Sequence, residues 1–165
     1  MRLGVRDVVL LARADVRRLS AEARISPRLR KNRNLHELDD VVHRLFNAIE
    51  PGSYVRPHRH LSPPKAETMV VVSGRLGLLV FDDSGGVLEK IVLEAGSETF
   101  GVEVPAGTWH SFVSLAAGTV VFEVKEGPYV SPGGSDSAPW APEEGAPEAA
   151  TLTAIWHKLF EKTKS

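Results

Sequence analysis

Between residues 42 and 125 the chain repeats one pattern: a short run suited to extended backbone, then a cluster of turn formers. The runs are 42–49, Tyr54 to His60, Thr68 to Ser73, Leu76 to Phe81, Leu88 to Leu93, Glu98 to Val104, His110 to Ser114 and Thr119 to Lys125. Between them stand Glu50-Pro51-Gly52-Ser53, Pro63-Pro64, Gly74, Asp83-Ser84-Gly85-Gly86, Ala95-Gly96, Pro105-Ala106-Gly107 and Ala117-Gly118. Short strands at such even spacing point to an all-β sandwich, jelly roll or barrel. The first run is the least clear, because Val42, Arg44, Phe46 and Ala48 alternate with His43, Leu45, Asn47 and Ile49 and neither face is cleanly apolar. The turn signal at Glu50 directly before another extended run favours strand there. The chain has 165 residues, 42% of them hydrophobic, and no cysteine. A chain of that length buries about 70% of its unfolded surface, so its core needs no staple. Disulfides, thiolate ligands and a cysteine nucleophile are excluded.

The flanks read differently. Residues 1–35 form an N-terminal extension, 36–126 the strand-rich body, and 127–165 an arm and a helix, all in a single domain. In the extension, Leu10, Leu11, Val16, Leu19 and Ala23 sit near helical spacing, Asp15 is a plausible cap, and Ser26-Pro27 stops the helix. The basic run Arg28, Arg30, Lys31 and Arg33 reads either as a solvated loop or as a segment folded over an anion site, with Arg33 as a ligand contact. Gly127 to Pro147 is rich in Gly, Pro and Ser, and Trp140 in its middle suggests an arm pinned to the body. Leu152, Ile155, Trp156, Leu159 and Phe160 then follow the spacing of an amphipathic helix packed on the outer face.

Four residues carry the chemistry. His58 and His60 stand two apart in an extended run, so their imidazoles share a face. Glu67 opens the next run, and His110 follows the Pro105-Ala106-Gly107 turn. Histidines with a carboxylate and no sulfur suit a divalent transition metal such as Fe, Zn, Mn or Ni. If His58 and His60 point inward, Tyr54 and Arg56 share their face unless Pro57 breaks the alternation; if His110 does, so do Phe112 and Ser114. A buried Arg56 needs an anion. That anion is either a protein carboxylate such as Glu123 or Glu103, or a substrate group received by Arg56 with Lys65 or Arg59 at the rim. Glu123 and Lys125 share one face of the last run, which is either solvated or the wet end of a cavity.

The order of these residues resembles the cupin superfamily. Gly52, His58, His60, Glu67 and Gly74 are similar to its first motif, and Pro105-x-Gly107-x-x-His110 to its second. Six residues separate His60 from Glu67 where cupins usually have three or four, Ser114 stands where the second motif ends in asparagine, and Thr99 where it begins with glycine. A narrower resemblance, to the WbuC-type cupin-fold metalloproteins, is carried by Pro51 to His60, Pro64-Lys65-x-Glu67 and Glu123-x-Lys125-Glu126-Gly127-Pro128-Tyr129. The Ser26-Pro27-Arg28 to His36 segment and Trp140-Ala141-Pro142-x-Glu144-Gly145 fit it too. The resemblance implies a cupin jelly-roll β-barrel with flanking helices, and one metal held by His58, His60, Glu67 and His110. It also implies strand-edge homodimers and an association with bacterial surface-polysaccharide (O-antigen) biosynthesis.

The expected function is that of a metal-binding protein acting on a small anionic or sugar-type molecule. As an enzyme it would be an isomerase, epimerase or oxygenase, with Tyr54 or Glu67 shuttling protons, Tyr54 and Arg56 as catalytic candidates, and Arg56, Lys65, Arg33 and Glu123 contacting substrate. The alternative is a metal-dependent binding or sensor module without turnover. Nucleic acid is not an expected partner, since the net charge is −1 and the basic run lacks aromatics. No apolar run approaches the roughly 18 residues of a membrane helix, and Val8 to Ala12 is too short for a signal-peptide core, so the expected location is the cytoplasm.

Overall fold

The computed structural model describes residues 8–130 and 136–161. Part of the glycine- and proline-rich arm, 131–135, therefore lies outside the described residues, as do the two chain ends.

Helix α1 (Arg13–Arg24) is followed by strands β1 (Arg30–Asn34), β2 (Val42–Ile49), β3 (Glu67–Ser73), β4 (Arg75–Phe81), β5 (Val87–Glu94), β6 (Gly101–Val104), β7 (Trp109–Ser114) and β8 (Thr119–Glu126), then helix α2 (Pro147–Lys158). The strands form two antiparallel sheets, one ordered β1-β2-β8-β3-β6 and the other β5-β4-β7. The all-β class with a helix at each flank is the one the turn pattern predicts. The strands of the jelly roll fall into these two facing sheets. Between them lies a core of Ile49, Met69, Val71, Leu76, Leu78, Leu93, Val104, Phe112 and Val121. Alternation along β3 and β8 puts Met69, Val71 and Val121 in this core, while Val72, Val120 and Phe122 face α1 on the outside. No described helix is long and apolar enough to cross a membrane.

Most of the basic run is strand, with Arg28 in the turn before it and Arg30 lining the cavity described below. Arg30–Asn34 is an edge strand on β2, so the sheet starts before residue 36. Its exposed Lys31 suits an edge that must not recruit another chain. Asp15 is not the residue that starts α1; it lies one turn in, and its carboxylate accepts the Ala12 N–H (3.3 Å). The helix is tied to the sheet by buried Glu50, which accepts hydrogen bonds from Ser20 Oγ (2.7 Å) and the Gly118 N–H (3.1 Å).

Residues 54–60 are not a regular strand, against expectation. Pro57 has no N–H to offer a ladder, and pairing is reduced to isolated bridges at His58. These bridges still fix the segment from two sides. His58 N–H donates to His110 O (3.0 Å) and His110 N–H to His58 O (2.9 Å). On the other side the arm returns, with Arg59 N–H donating to Asp136 O (3.0 Å) and Ala138 N–H to Pro57 O (2.9 Å). The arm is pinned as Trp140 suggested: its ring packs on Phe81 (5.1 Å between centroids) and edge-on to Trp109 (6.4 Å). Helix α2 buries Trp156 in the same cluster, with Leu79, Phe81 and Val113. Ile155, expected in the apolar stripe, is half exposed instead.

Candidate metal centre

His58, His60, Glu67 and His110 converge: one ligand atom from each lies within 4.8 Å of all the others. The backbone explains how. Gly107, at φ +79°, turns the chain between β6 and β7 and donates its N–H to His60 O (3.0 Å). That turn fixes His60 beside His110, and the paired bridge fixes His58. The long His60–Glu67 connection folds back on itself, Lys65 N–H donating to His60 O (3.2 Å). Six intervening residues thus still deliver Glu67 to the histidines.

The donor atoms are prepared for a cation. His58 Nδ1 lies 3.0 Å from Arg56 O, and His110 Nδ1 lies 2.8 Å from Thr108 O. A backbone carbonyl only accepts, so each Nδ1 carries the proton and each Nε2 of the neutral ring is a lone pair. Glu67 Oε2 then stands 3.2 Å from His110 Nε2 and 3.3 Å from His60 Nε2. On His110, an imidazole lone pair facing a carboxylate at that distance is repulsive unless a cation sits between them. Burial pushes His58 down to about 3, with the neighbouring His110 adding to the effect, so His58 is a neutral imidazole across the physiological range. Burial alone would raise Glu67, but its close neighbours Glu123, His110 and His60 and the charge of Lys125 outweigh it and hold the carboxyl well below its usual range. Glu123 is pushed up to about 8, by burial and then by the negative charge of Glu67. Three imidazoles and one carboxylate, without sulfur, therefore fit a divalent transition metal.

A cavity of about 330 Å³ opens above these residues, with His58 and His60 in its wall. Arg56 and Lys65 line it, and so do Arg30, His43, Arg59, Lys125, Asp136 and Tyr129. Arg56 Nη2 donates to Ala138 O (3.0 Å), and its nearest carboxylate is the exposed Glu143 at 3.7 Å, not Glu123 or Glu103. Lys65 Nζ donates to Pro128 O (2.7 Å), a neutral acceptor. The Arg59 guanidinium lies 4.2 Å over the Trp109 ring. Arg30 and Lys125 are paired with carboxylates, but among the described residues Arg56, Lys65 and Arg59 have no close one, which favours an anionic ligand at their end of the cavity.

Three sequence candidates stand elsewhere. Tyr54 does not line the cavity; its hydroxyl donates to Pro142 O (2.7 Å), its ring stacks on Trp156, and burial raises it to about 12. The alternation that would have placed it beside Arg56 fails where the segment leaves strand geometry, and a proton shuttle there is unsupported. Arg33 lies outside, paired with Asp15 at 3.0 Å. Glu123 is buried behind Lys125, which lies 2.6 Å from it, and does not reach the cavity wall. Arg30 and His43 were not legible as site residues, because one sits in the basic run and the other in a strand with no clean face.

Arg30 is held in place by Glu144 of the arm (2.7 Å), which also pairs with Arg28 (2.5 Å). Partial burial would raise Glu144, but the hydrogen bonds and charges of the two arginines hold it below the usual carboxylate range. A depressed carboxylate adds stability that is complete above the unfolded-state value and lost as pH falls through the folded one. Thermal melting of the wild type should therefore fall below about pH 4.5 more steeply than that of Glu144→Gln; parallel melting curves down to pH 3 would refute the coupling.

Comparison with known proteins adds a family and a fold. A family model described as a domain of unknown function (DUF6016) matches residues 11–93. None of the curated proteins matches the sequence. Among solved structures, a conserved protein of unknown function from Streptococcus pyogenes is 16% identical, with 76% of this chain and 93% of that one covered at a TM-score of 0.52. KdgF from a Halomonas species is 19% identical over 62% of this chain and 81% of its own, with a TM-score of 0.48. A cupin superfamily protein from Desulfitobacterium hafniense is 14% identical over 59% and 76%, with a TM-score of 0.47.

Proposed function

This chain belongs to the DUF6016 family, whose model spans residues 11–93, and we propose that it is a metal-dependent protein that binds and transforms a small anionic, sugar-type molecule. The observation that carries the reading is the convergence of His58, His60, Glu67 and His110 beside a cavity whose wall has more cations (Arg30, Arg56, Arg59, Lys65, Lys125) than carboxylates (Glu126, Asp136, Glu144). Bound to those four side chains, a divalent ion would supply Lewis acidity toward a carbonyl or hydroxyl oxygen, the chemistry that sugar isomerisation and epimerisation need.

The chain's own residues do the rest. Arg56 and Lys65 receive and orient the anionic end, Arg56 offering a planar fork and Lys65 a point charge. Trp109 holds the Arg59 guanidinium flat beside them. The deep position of Glu67 and His110, both almost fully buried, keeps bulk water from the inner half of the site. Tyr54 is turned away from the cavity, while Lys125, held protonated by Glu67 and Glu123, reaches its wall as a charged donor. The segments that resemble WbuC-type proteins motivate the finer reading that this chemistry serves surface-polysaccharide biosynthesis.

Elemental analysis of protein purified without added metal tests the reading. We expect about one divalent ion per wild-type chain and almost none in His58→Ala at unchanged fold, since binding needs the complete set of deprotonated ligands. A wild type without metal, folded and unable to take any up, would sink it. Metal without turnover of any sugar acid or sugar phosphate would leave a binding module instead of an enzyme.

A further inference from the structure

The two oxygens of Glu67 face different neighbours. Oε2 lies 3.2 and 3.3 Å from His110 and His60, whereas Oε1 lies 3.1 Å from Lys125 Nζ. The same ammonium lies 2.6 Å from Glu123 Oε1. Backbone register sets this arrangement: β3 and β8 pair with Glu67 opposite Lys125 and Met69 opposite Glu123, so the ammonium reaches Glu67 from directly across the ladder. Both carboxylates are nearly fully buried, and the Lys125 side chain keeps 24% exposure on the cavity side.

A carboxylate beside a cation can give it one oxygen or two. A buried donor already bonded to one oxygen decides between them, because two-oxygen ligation would strip that donor of its partner inside the protein. Building on the metal-binding reading above, we propose that Lys125, braced by Glu123, is a positioning residue that reserves Oε1 of Glu67, so that Glu67 gives the metal a single oxygen and a coordination position stays available to a ligand in the cavity. Glu123 accordingly acts through Lys125 and not by touching substrate.

Cobalt(II) is the probe, and X-ray absorption fine structure with visible absorption is the readout. Wild type, Lys125→Arg, Lys125→Met and the double variant Lys125→Met/Glu123→Leu are each loaded with one equivalent. The double variant matters because Lys125→Met alone leaves two buried carboxylates facing each other and could unfold, whereas replacing the whole ion pair by apolar side chains is often neutral for stability. In the double variant we expect the cobalt shell to gain one oxygen, the carboxylate carbon to move closer to the metal, and the visible bands to weaken. Lys125→Arg keeps a charged donor and should keep the wild-type signature. A double variant that is folded, cobalt-loaded and spectroscopically identical to wild type overturns the proposal, and so does a two-oxygen signature in Lys125→Arg. A wild type that takes up no cobalt is a different result and overturns the metal reading beneath it.

Discussion

Glu67→Ala should bind divalent metal at least about 100-fold more weakly than wild type, measured by competition with a chromophoric chelator. Loss of a partner that merely orients a ligand costs about 10–100-fold, and Glu67 does more than orient. Its Oε2 is the oxygen within reach of both His60 and His110, and its charge is the negative one nearest the imidazoles. The fold should survive, because Lys125 keeps Glu123 as a counter-ion at 2.6 Å and the alanine leaves a polar space open toward the cavity. Circular dichroism and melting near the wild-type value should accompany the lost affinity. Affinity within about threefold of wild type would remove Glu67 from the ligand set and leave a three-histidine site, a difference of under roughly 0.7 kcal/mol at RT near 0.59 kcal/mol.

Trp156→Ala should cost about 3–5 kcal/mol, the range for deleting a buried aromatic. Trp156 is 4% exposed. It stacks on Tyr54 at 5.9 Å and packs on Phe81 at 5.5 Å, so the cavity left behind has rigid walls that cannot collapse easily. Urea denaturation followed by circular dichroism measures the change. A cost under about 1 kcal/mol would mean that α2 is not part of the cooperative unit.

Both predictions lean on features of unequal legibility. The convergence of His58, His60, Glu67 and His110 was readable because histidine, carboxylate and turn residues occur in a particular order, and the turn at Gly107 does the positioning that the order implied. The body strands were readable because turn formers bracket them. What could not be read was governed by pairing across strands. Nothing local to Glu67 announces that Lys125 will stand opposite it, fifty-eight positions later in the chain. Alternation misled at Tyr54 for a related reason: period two holds only while the segment is a strand, and Pro57 denies this one a continuous ladder. The basic run misled through composition. Arginines on an edge strand look like arginines in a loop until the partner carboxylates, Asp15 and Glu144, arrive from distant segments.

The segment bearing His58 is stitched on one side to β7 and on the other to residues 136–138 of the arm. The boundary of the strand-rich body near residue 126 is therefore not a seam along which the protein can be cut. A fragment ending there would keep all four ligand side chains yet lose the rail along which two of them are aligned. In graft or circular-permutation terms, the transferable unit is the sheet pair together with the arm and the helix that clamps it.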